Sequence, residues 1–174
     1  MELEDSIKSM IRDVPDYPRK GILFKDITPL LKNPVGLKLC IDELERRLWK
    51  TDFEYVVSIE ARGFIVGSAL AYGMGKGFIP VRKKGKLPYK TVSIEYELEY
   101  GTATVEMHSD SVERGSRVVI VDDLLATGGT ALAAAQLVKG MGGTVSGYAF
   151  IVELSFLDGR KRLGGANITS LVKY

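Results

Sequence analysis

Val118-Val119-Ile120-Val121-Asp122-Asp123-Leu124-Leu125-Ala126-Thr127-Gly128-Gly129-Thr130 is the stretch on which the fold turns. Four β-branched residues with no polar break predict a central strand buried on both faces. Two acids end that strand, and Thr-Gly-Gly-Thr then opens an alanine-rich helix over 130–141. The free N–H groups and the dipole of a helix N-terminus together favour a dianion there. Gly128 and Gly129 let backbone approach a phosphate closely, and the hydroxyls of Thr127 and Thr130 add donors. Carboxylates would repel a phosphate they touched. Placed one sugar-length away, Asp122 and Asp123 can accept hydrogen bonds from ribose hydroxyls. The stretch therefore reads as a strand, a cradle and a helix that grip a 5-phosphorylated ribose.

Other phosphate motifs fit less well. A P-loop requires a lysine after its last glycine, and a dinucleotide fingerprint requires G-x-G-x-x-G directly after the strand; neither pattern is present. Paired acids at a strand end also occur in metal-assisted phosphotransfer sites. A plain core helix has no need of two acids and two glycines at its entrance.

Outward from this stretch, strand and helix patterns alternate. Leu3, Ile7, Met10 and Ile11 recur at helical spacing and predict a first helix ended by Pro15 and Pro18. Gly21 to Pro29 is apolar but too punctuated to predict a core element. Asn33-Pro34 predicts a capped helix start, with Leu37, Ile41, Leu44 and Leu48 on the buried face. Strands are predicted at 55–59, 78–81, 145–154 and 168–172, a helix from about 64 to 72, and a hairpin from 92–96 and 102–107. The expected fold is α/β: a mainly parallel sheet flanked by helices, with an antiparallel hairpin insertion. Ligands of open α/β sheets bind beyond the carboxyl ends of the strands, so the loops after Ile59, Val81 and Val121 form the candidate site.

The 174 residues favour one domain, and 45% hydrophobic with 26% charged residues is an ordinary globular balance. A net charge of +2 argues against a general nucleic-acid binder. Neither a signal-peptide core nor an apolar run of membrane-spanning length is visible, so no membrane partner is expected. The lone cysteine, Cys40, lies in an apolar helical pattern and reads as a core residue; a reducing cytoplasm fits it. His108 is the sole histidine, lies outside every motif and is assigned no chemistry.

The 118–130 motif closely resembles the phosphoribosyl pyrophosphate signature of the type I phosphoribosyltransferases. Further matches run in family order along nearly the whole chain: Gly21 to Leu31, Glu60-Ala61-Arg62-Gly63-Phe64, Arg82 to Pro88, Leu98-Glu99-Tyr100-Gly101 and Val152-Glu153-Leu154. They narrow the resemblance to the adenine-using branch.

The resemblance implies a single domain over 1–174, with hood elements near 1–32 and 83–107. It implies transfer of a phosphoribosyl group from phosphoribosyl pyrophosphate to adenine, magnesium carried mainly by substrate and water, no metal ligand from the protein, and a homodimer. Asp122 and Asp123 would hold the ribose hydroxyls, and Ala126, Thr127, Gly128, Gly129 and Thr130 the 5-phosphate. Arg62, in a loop where the family has a non-proline cis peptide, would meet pyrophosphate together with Arg82, Lys83 and Lys86, acting within one subunit or across a dimer. Leu23 and Lys25 would pair with adenine through main-chain groups, and Phe24 would stack on it. Glu99, in a segment that closes over the site, would handle the purine proton. Ala126 stands where enzymes for 6-oxopurines generally carry aspartate. A sibling enzyme for a 6-oxopurine, uracil or orotate, and a nucleic-acid-binding regulator built on the same fold, are the alternatives.

Overall fold

The computed structural model describes residues 3–97, 101–164 and 166–174. Its elements, in chain order, are α1 (Leu3–Lys8), β1 (Arg12–Pro15), β2 (Leu23–Asp26), α2 (Thr28–Lys32), α3 (Pro34–Leu48), β3 (Tyr55–Ile59), α4 (Arg62–Gly73), β4 (Gly77–Lys83), β5 (Thr91–Glu97), β6 (Thr102–His108), β7 (Arg117–Leu125), α5 (Gly129–Gly140), β8 (Thr144–Glu153), α6 (Gly159–Arg162) and β9 (Ile168–Lys173). The main sheet has the order β5-β6-β4-β3-β7-β8-β9. From β4 to β9 its neighbours run parallel; β6 is antiparallel to both β4 and β5. The expected hairpin is therefore present, and it prolongs the main sheet through the pairs Arg82↔Glu106 and Lys83↔Val105.

β7 lies at the centre for the reason its sequence suggests. Val119 and Val121 face one core, with Leu44, Val66 and Leu70 of α3 and α4. Val118 and Ile120 face the other, with Ala134 and Val138 of α5. Strand residues alternate faces, so an unbroken β-branched run is what a sheet covered on both sides requires. α4 comes especially close to the sheet. A Cβ on Gly67 would lie 2.3 Å from Ser58 Oγ, and that buried hydroxyl donates to Gly63 O at 2.7 Å. The α3 N-terminus is closed by its own chain: Asn33 Oδ1 accepts from the amides of Val35 and Gly36 at 3.0 and 3.2 Å.

Three expectations need correction. The first helix stops at Lys8, before the prolines, because Arg12–Pro15 pairs antiparallel with Leu23–Asp26 as a separate two-stranded sheet. The 21–29 stretch does reach the core: Ile27 and, just beyond it, Leu30 are fully buried. Its brevity is offset by a turn in which Asp26 Oδ1 accepts the Thr28 amide at 2.8 Å. Finally, β7 continues through both acids to Leu125, so Asp122 and Asp123 belong to the strand, with Asp122 opposite Phe150 of β8.

Candidate active site

Two helices begin at the carboxyl edge of the sheet, and neither is capped by a side chain. The cap of α4 is Ala61; that of α5 is Gly128, in the left-handed conformation at φ 78°. In contrast to α3, no side chain caps their first-turn amides, and the helix dipoles add positive potential. A cleft of about 510 Å³ lies between them, lined by residues that include Glu60, Arg62, Lys83, Asp122, Asp123 and Thr130. A narrower recess of about 70 Å³ follows residues 124–131 around the α5 N-terminus.

The acids occupy the floor between the two helix ends. Asp123 is buried, and its Oδ2 accepts from Arg62 Nε at 2.5 Å. Asp122 Oδ1 accepts the Asp123 amide at 2.8 Å, and it fits because Gly63 has no side chain: a Cβ there would lie 2.6 Å from that oxygen. Burial first, and then the neighbouring Asp123 carboxylate, push the Asp122 pKa well above the usual aspartate value. Asp122 thus holds its proton more readily than a solvated aspartate would.

The Glu60–Ala61 bond is cis, as the resemblance implied for this loop. Glu60 organises the cationic side of the cleft. Its Oε2 accepts from Arg82 Nε and from the Lys83 amide, both at 3.1 Å. Burial raises the Glu60 pKa, but Arg82, the Lys83 amide and the Lys86 charge outweigh it and hold the carboxyl below its ordinary value. Arg82 also donates from Nη1 to Lys86 O at 2.9 Å. Behind the basic loop, buried Glu106 Oε1 accepts the amides of Gly85, Lys86 and Leu87 at 3.0, 3.2 and 3.2 Å.

The structure brings Phe24 to the same place: the Arg62 guanidinium carbon lies 5.6 Å from its ring centroid. Tyr17 packs edge-on against the ring at 5.1 Å. Lys25 points elsewhere. Its ammonium donates to Asp13 Oδ1 at 2.6 Å and lies 3.9 Å from the Tyr174 ring centroid, and its backbone pairs opposite Asp13 in the β1–β2 ladder. Leu23 is half exposed. Ala126, Thr127 and Gly128 form the loop before α5, and Thr130 Oγ1 shares a 3.1 Å hydrogen bond with Tyr96 OH. Glu99 lies outside the described residues. His108 packs edge-on against Tyr89 at a centroid distance of 6.1 Å and does not line the cleft.

Sequence reasoning missed Glu60, Tyr96, Glu106 and the 158–162 turn. Glu60 was legible, because an acid between a strand and a phosphate-facing arginine calls for a partner. The others act across long sequence separations that no local pattern encodes.

A sheet whose carboxyl edge presents two open helix ends around a diacid, with Arg62, Arg82 and Lys83 lining the same cleft, is laid out for a sugar phosphorylated at two positions. Comparison with known proteins agrees. The phosphoribosyl transferase domain model matches residues 31–162, and the chain belongs to that family. It is 57% identical over 168 residues to the adenine phosphoribosyltransferase of Thermotoga neapolitana, covering 97% of this chain and 99% of that one. The crystal structure of the Thermoanaerobacter pseudethanolicus adenine phosphoribosyltransferase superposes with a TM-score of 0.96 at 55% identity, covering 99% and 100% of the two chains. The Saccharomyces cerevisiae enzyme, solved with adenine and an imino-altritol bisphosphate, gives 0.90 at 39% identity, covering 97% and 98%.

Proposed function

We infer that this chain transfers the 5-phosphoribosyl group of phosphoribosyl pyrophosphate to adenine, giving adenosine monophosphate and pyrophosphate. The observation that carries the reading is the pair of uncapped helix N-termini flanking Asp122 and Asp123 in one cleft. One helix end suits the 5-phosphate, the other the pyrophosphate, and the acids between them suit the ribose hydroxyls.

Each residue takes a role from its position. The amides of 126–130 and the hydroxyls of Thr127 and Thr130 hold the 5-phosphate. Asp122 and Asp123 accept from the ribose. Arg62 exchanges Asp123 for pyrophosphate, and Arg82, Lys83 and Lys86 supply further positive charge. Phe24 stacks on adenine while main-chain groups of Leu23 and Lys25 pair with its edge. Adenine N9 attacks ribose C1 as the bond to pyrophosphate breaks, and the N9 proton leaves; Glu99 is the proposed group for moving it through N7. Ala126 offers only a methyl group, which does not recognise a 6-oxopurine. Residues 1–32 and 83–107 form the proposed hood.

Magnesium suits the donors present. Asp122 and Asp123 line the cleft as hard oxygen groups for the ribose, and magnesium would arrive held mainly by the diphosphate, the ribose hydroxyls and water. When bound, it would neutralise charge on the departing pyrophosphate. A polyphosphorylated sugar does not cross bilayers unaided, so a cytoplasmic location accompanies this substrate; no helix among the described residues is long and apolar enough to span a membrane.

A homodimer is part of the proposal. Ile65 and Tyr72, two turns apart on one face of α4, are exposed at 44% and 91%, an apolar pair suited to a second copy. Light scattering should show a dimer that Tyr72→Glu dissociates; a monomeric parent protein would remove this part.

The direct test supplies magnesium, phosphoribosyl pyrophosphate and one nucleobase at a time. Adenine should yield its nucleotide, and hypoxanthine, guanine, uracil and orotate should not. Comparable rates with hypoxanthine would sink the adenine assignment.

A further inference from the structure

The turn that follows β8 touches the phosphate loop more closely than any side chain could. A Cβ placed on Gly159 would lie 2.1 Å from Ala126 O and 3.1 Å from the Gly128 nitrogen. In the reverse direction, a Cβ on Gly128 would lie 2.8 Å from Gly159 O. The two segments meet backbone on backbone, and glycine on both sides permits the approach. Asp158, immediately before, is left-handed at φ 55°, which aims the turn at the loop.

This turn is anchored independently of the loop. Arg160 donates from Nε and Nη2 to the two oxygens of buried Glu153 at 2.9 and 2.6 Å, a bidentate fork, and from Nη1 to Ile168 O at 3.2 Å. Ser170 Oγ also donates to Glu153. The guanidinium thus ties the first turn of α6 to the ends of β8 and β9. A planar fork fixes orientation as well as distance. The same turn brings Arg162 Nη1 to 3.5 Å from the point where a Cβ on Gly129 would sit.

We propose that Gly159 and Arg160 are positioning residues for the 5-phosphate: Arg160, locked on Glu153, presses the Gly159 backbone against residues 126–128 and holds the loop in its phosphate-accepting shape before substrate arrives. A preformed cradle spares the ordering cost at binding. This rests on the 5-phosphate reading of the 126–130 loop. Neither residue lines the cleft or the recess around the α5 N-terminus, and on the pyrophosphate side Arg62 bonds to Asp123 and Arg82 to Glu60 and Lys86 O.

Calorimetric titration of ribose 5-phosphate and, separately, of pyrophosphate with magnesium tests the proposal. In Gly159→Ala, the affinity for ribose 5-phosphate should fall at least tenfold and that for pyrophosphate stay within about twofold. Arg160→Lys keeps one charged contact and should show a smaller loss on the same ligand alone. The KM for phosphoribosyl pyrophosphate should rise in both variants while the KM for adenine holds. Equal weakening of both ligands, or no weakening of either, would overturn the positioning role. A parent protein that fails to bind ribose 5-phosphate would instead overturn the 5-phosphate reading itself.

Discussion

Asp122 and Asp123 sit where two like charges share a buried floor, and their partners explain why the fold tolerates them. Arg62 neutralises Asp123, and the missing Cβ of Gly63 makes room for Asp122. Ribose hydroxyls are donors and favour ionised acceptors, so substrate binding should draw the raised Asp122 pKa down. Replacing both residues by asparagine removes the charge at constant size. The double variant should bind phosphoribosyl pyrophosphate weakly and turn over slowly, yet melt no lower than the parent, because it also relieves repulsion. Intact activity would contradict the ribose assignment, and unfolding would make the acids structural. Glu99 is the second case at this scale. A carboxyl drawn into a closed, drier site has its pKa raised towards neutrality and can then give and take a proton. Glu99→Gln should lower kcat by roughly 10²–10⁴-fold, as losing a general acid–base group does, with little change in phosphoribosyl pyrophosphate binding. Glu97→Gln serves as the control and should be nearly silent. Wild-type turnover in Glu99→Gln would take this residue out of the mechanism.

Helices α3 and α5 have opposite N-termini, and the contrast separates stability from binding. Asn33 satisfies α3 from within the chain, and Asn33→Ala should cost about 1 kcal/mol of stability, read from chemical denaturation, without moving either KM. Gly128 leaves α5 open. Gly128→Ala forces a side chain into a left-handed residue and towards Gly159 O, and should weaken phosphoribosyl pyrophosphate binding far more than it lowers the melting temperature. Elements of this kind were legible where one stretch of chain determined them. The β-branched run of β7, the Asn33-Pro34 start of α3 and the Thr-Gly-Gly-Thr entrance of α5 each carry their own explanation. The strand β1 did not, because Arg12–Pro15 becomes extended only by pairing with Leu23–Asp26, across a loop that local propensity cannot close. The same holds for the site. Acids and glycines of one motif could be placed from sequence, whereas Glu106 gathering the 85–87 amides, or Gly159 meeting Ala126, depends on register between distant elements. Lys25 shows the limit of a local motif: Asp13 and Tyr174, distant in sequence, decide where its ammonium goes.

Taken as a whole, the molecule ties its outer layer to the sheet through carboxylates, and this sets its behaviour in acid. Buried Glu43 of α3 accepts from Arg46 Nε and Nη2, both at 2.7 Å, and from Arg47 Nε at 2.6 Å; Arg47 reaches on to Ser170 O of β9 at 2.9 Å. The Arg46 hydrogen bonds, opposed by burial and joined by those of Arg47, hold the Glu43 pKa at about 2, against an ordinary value of 4.5. Glu153, held by Arg160, and Glu60, held by Arg82, are lowered too. For a carboxyl whose folded pKa lies below its unfolded one, the stabilisation is complete above the unfolded value and disappears as pH falls through the folded value. Glu43 should therefore contribute fully at pH 7 and lose its contribution between about 4.5 and about 2. Asp122 acts with the opposite sign: its raised pKa costs stability at neutral pH, and that cost is relieved as pH falls from the raised value to the ordinary aspartate value. Urea midpoints across pH should accordingly hold or rise slightly on mild acidification, then fall steeply below about 4.5. Arg46 is largely exposed, so solvent screening limits the Glu43 contribution to about 1–2 kcal/mol. Glu43→Gln should show that loss at pH 7 and a flatter acid limb, with the KM for both substrates unchanged. An acid limb as steep as the parent's would mean that other carboxylates carry the acid sensitivity of the fold.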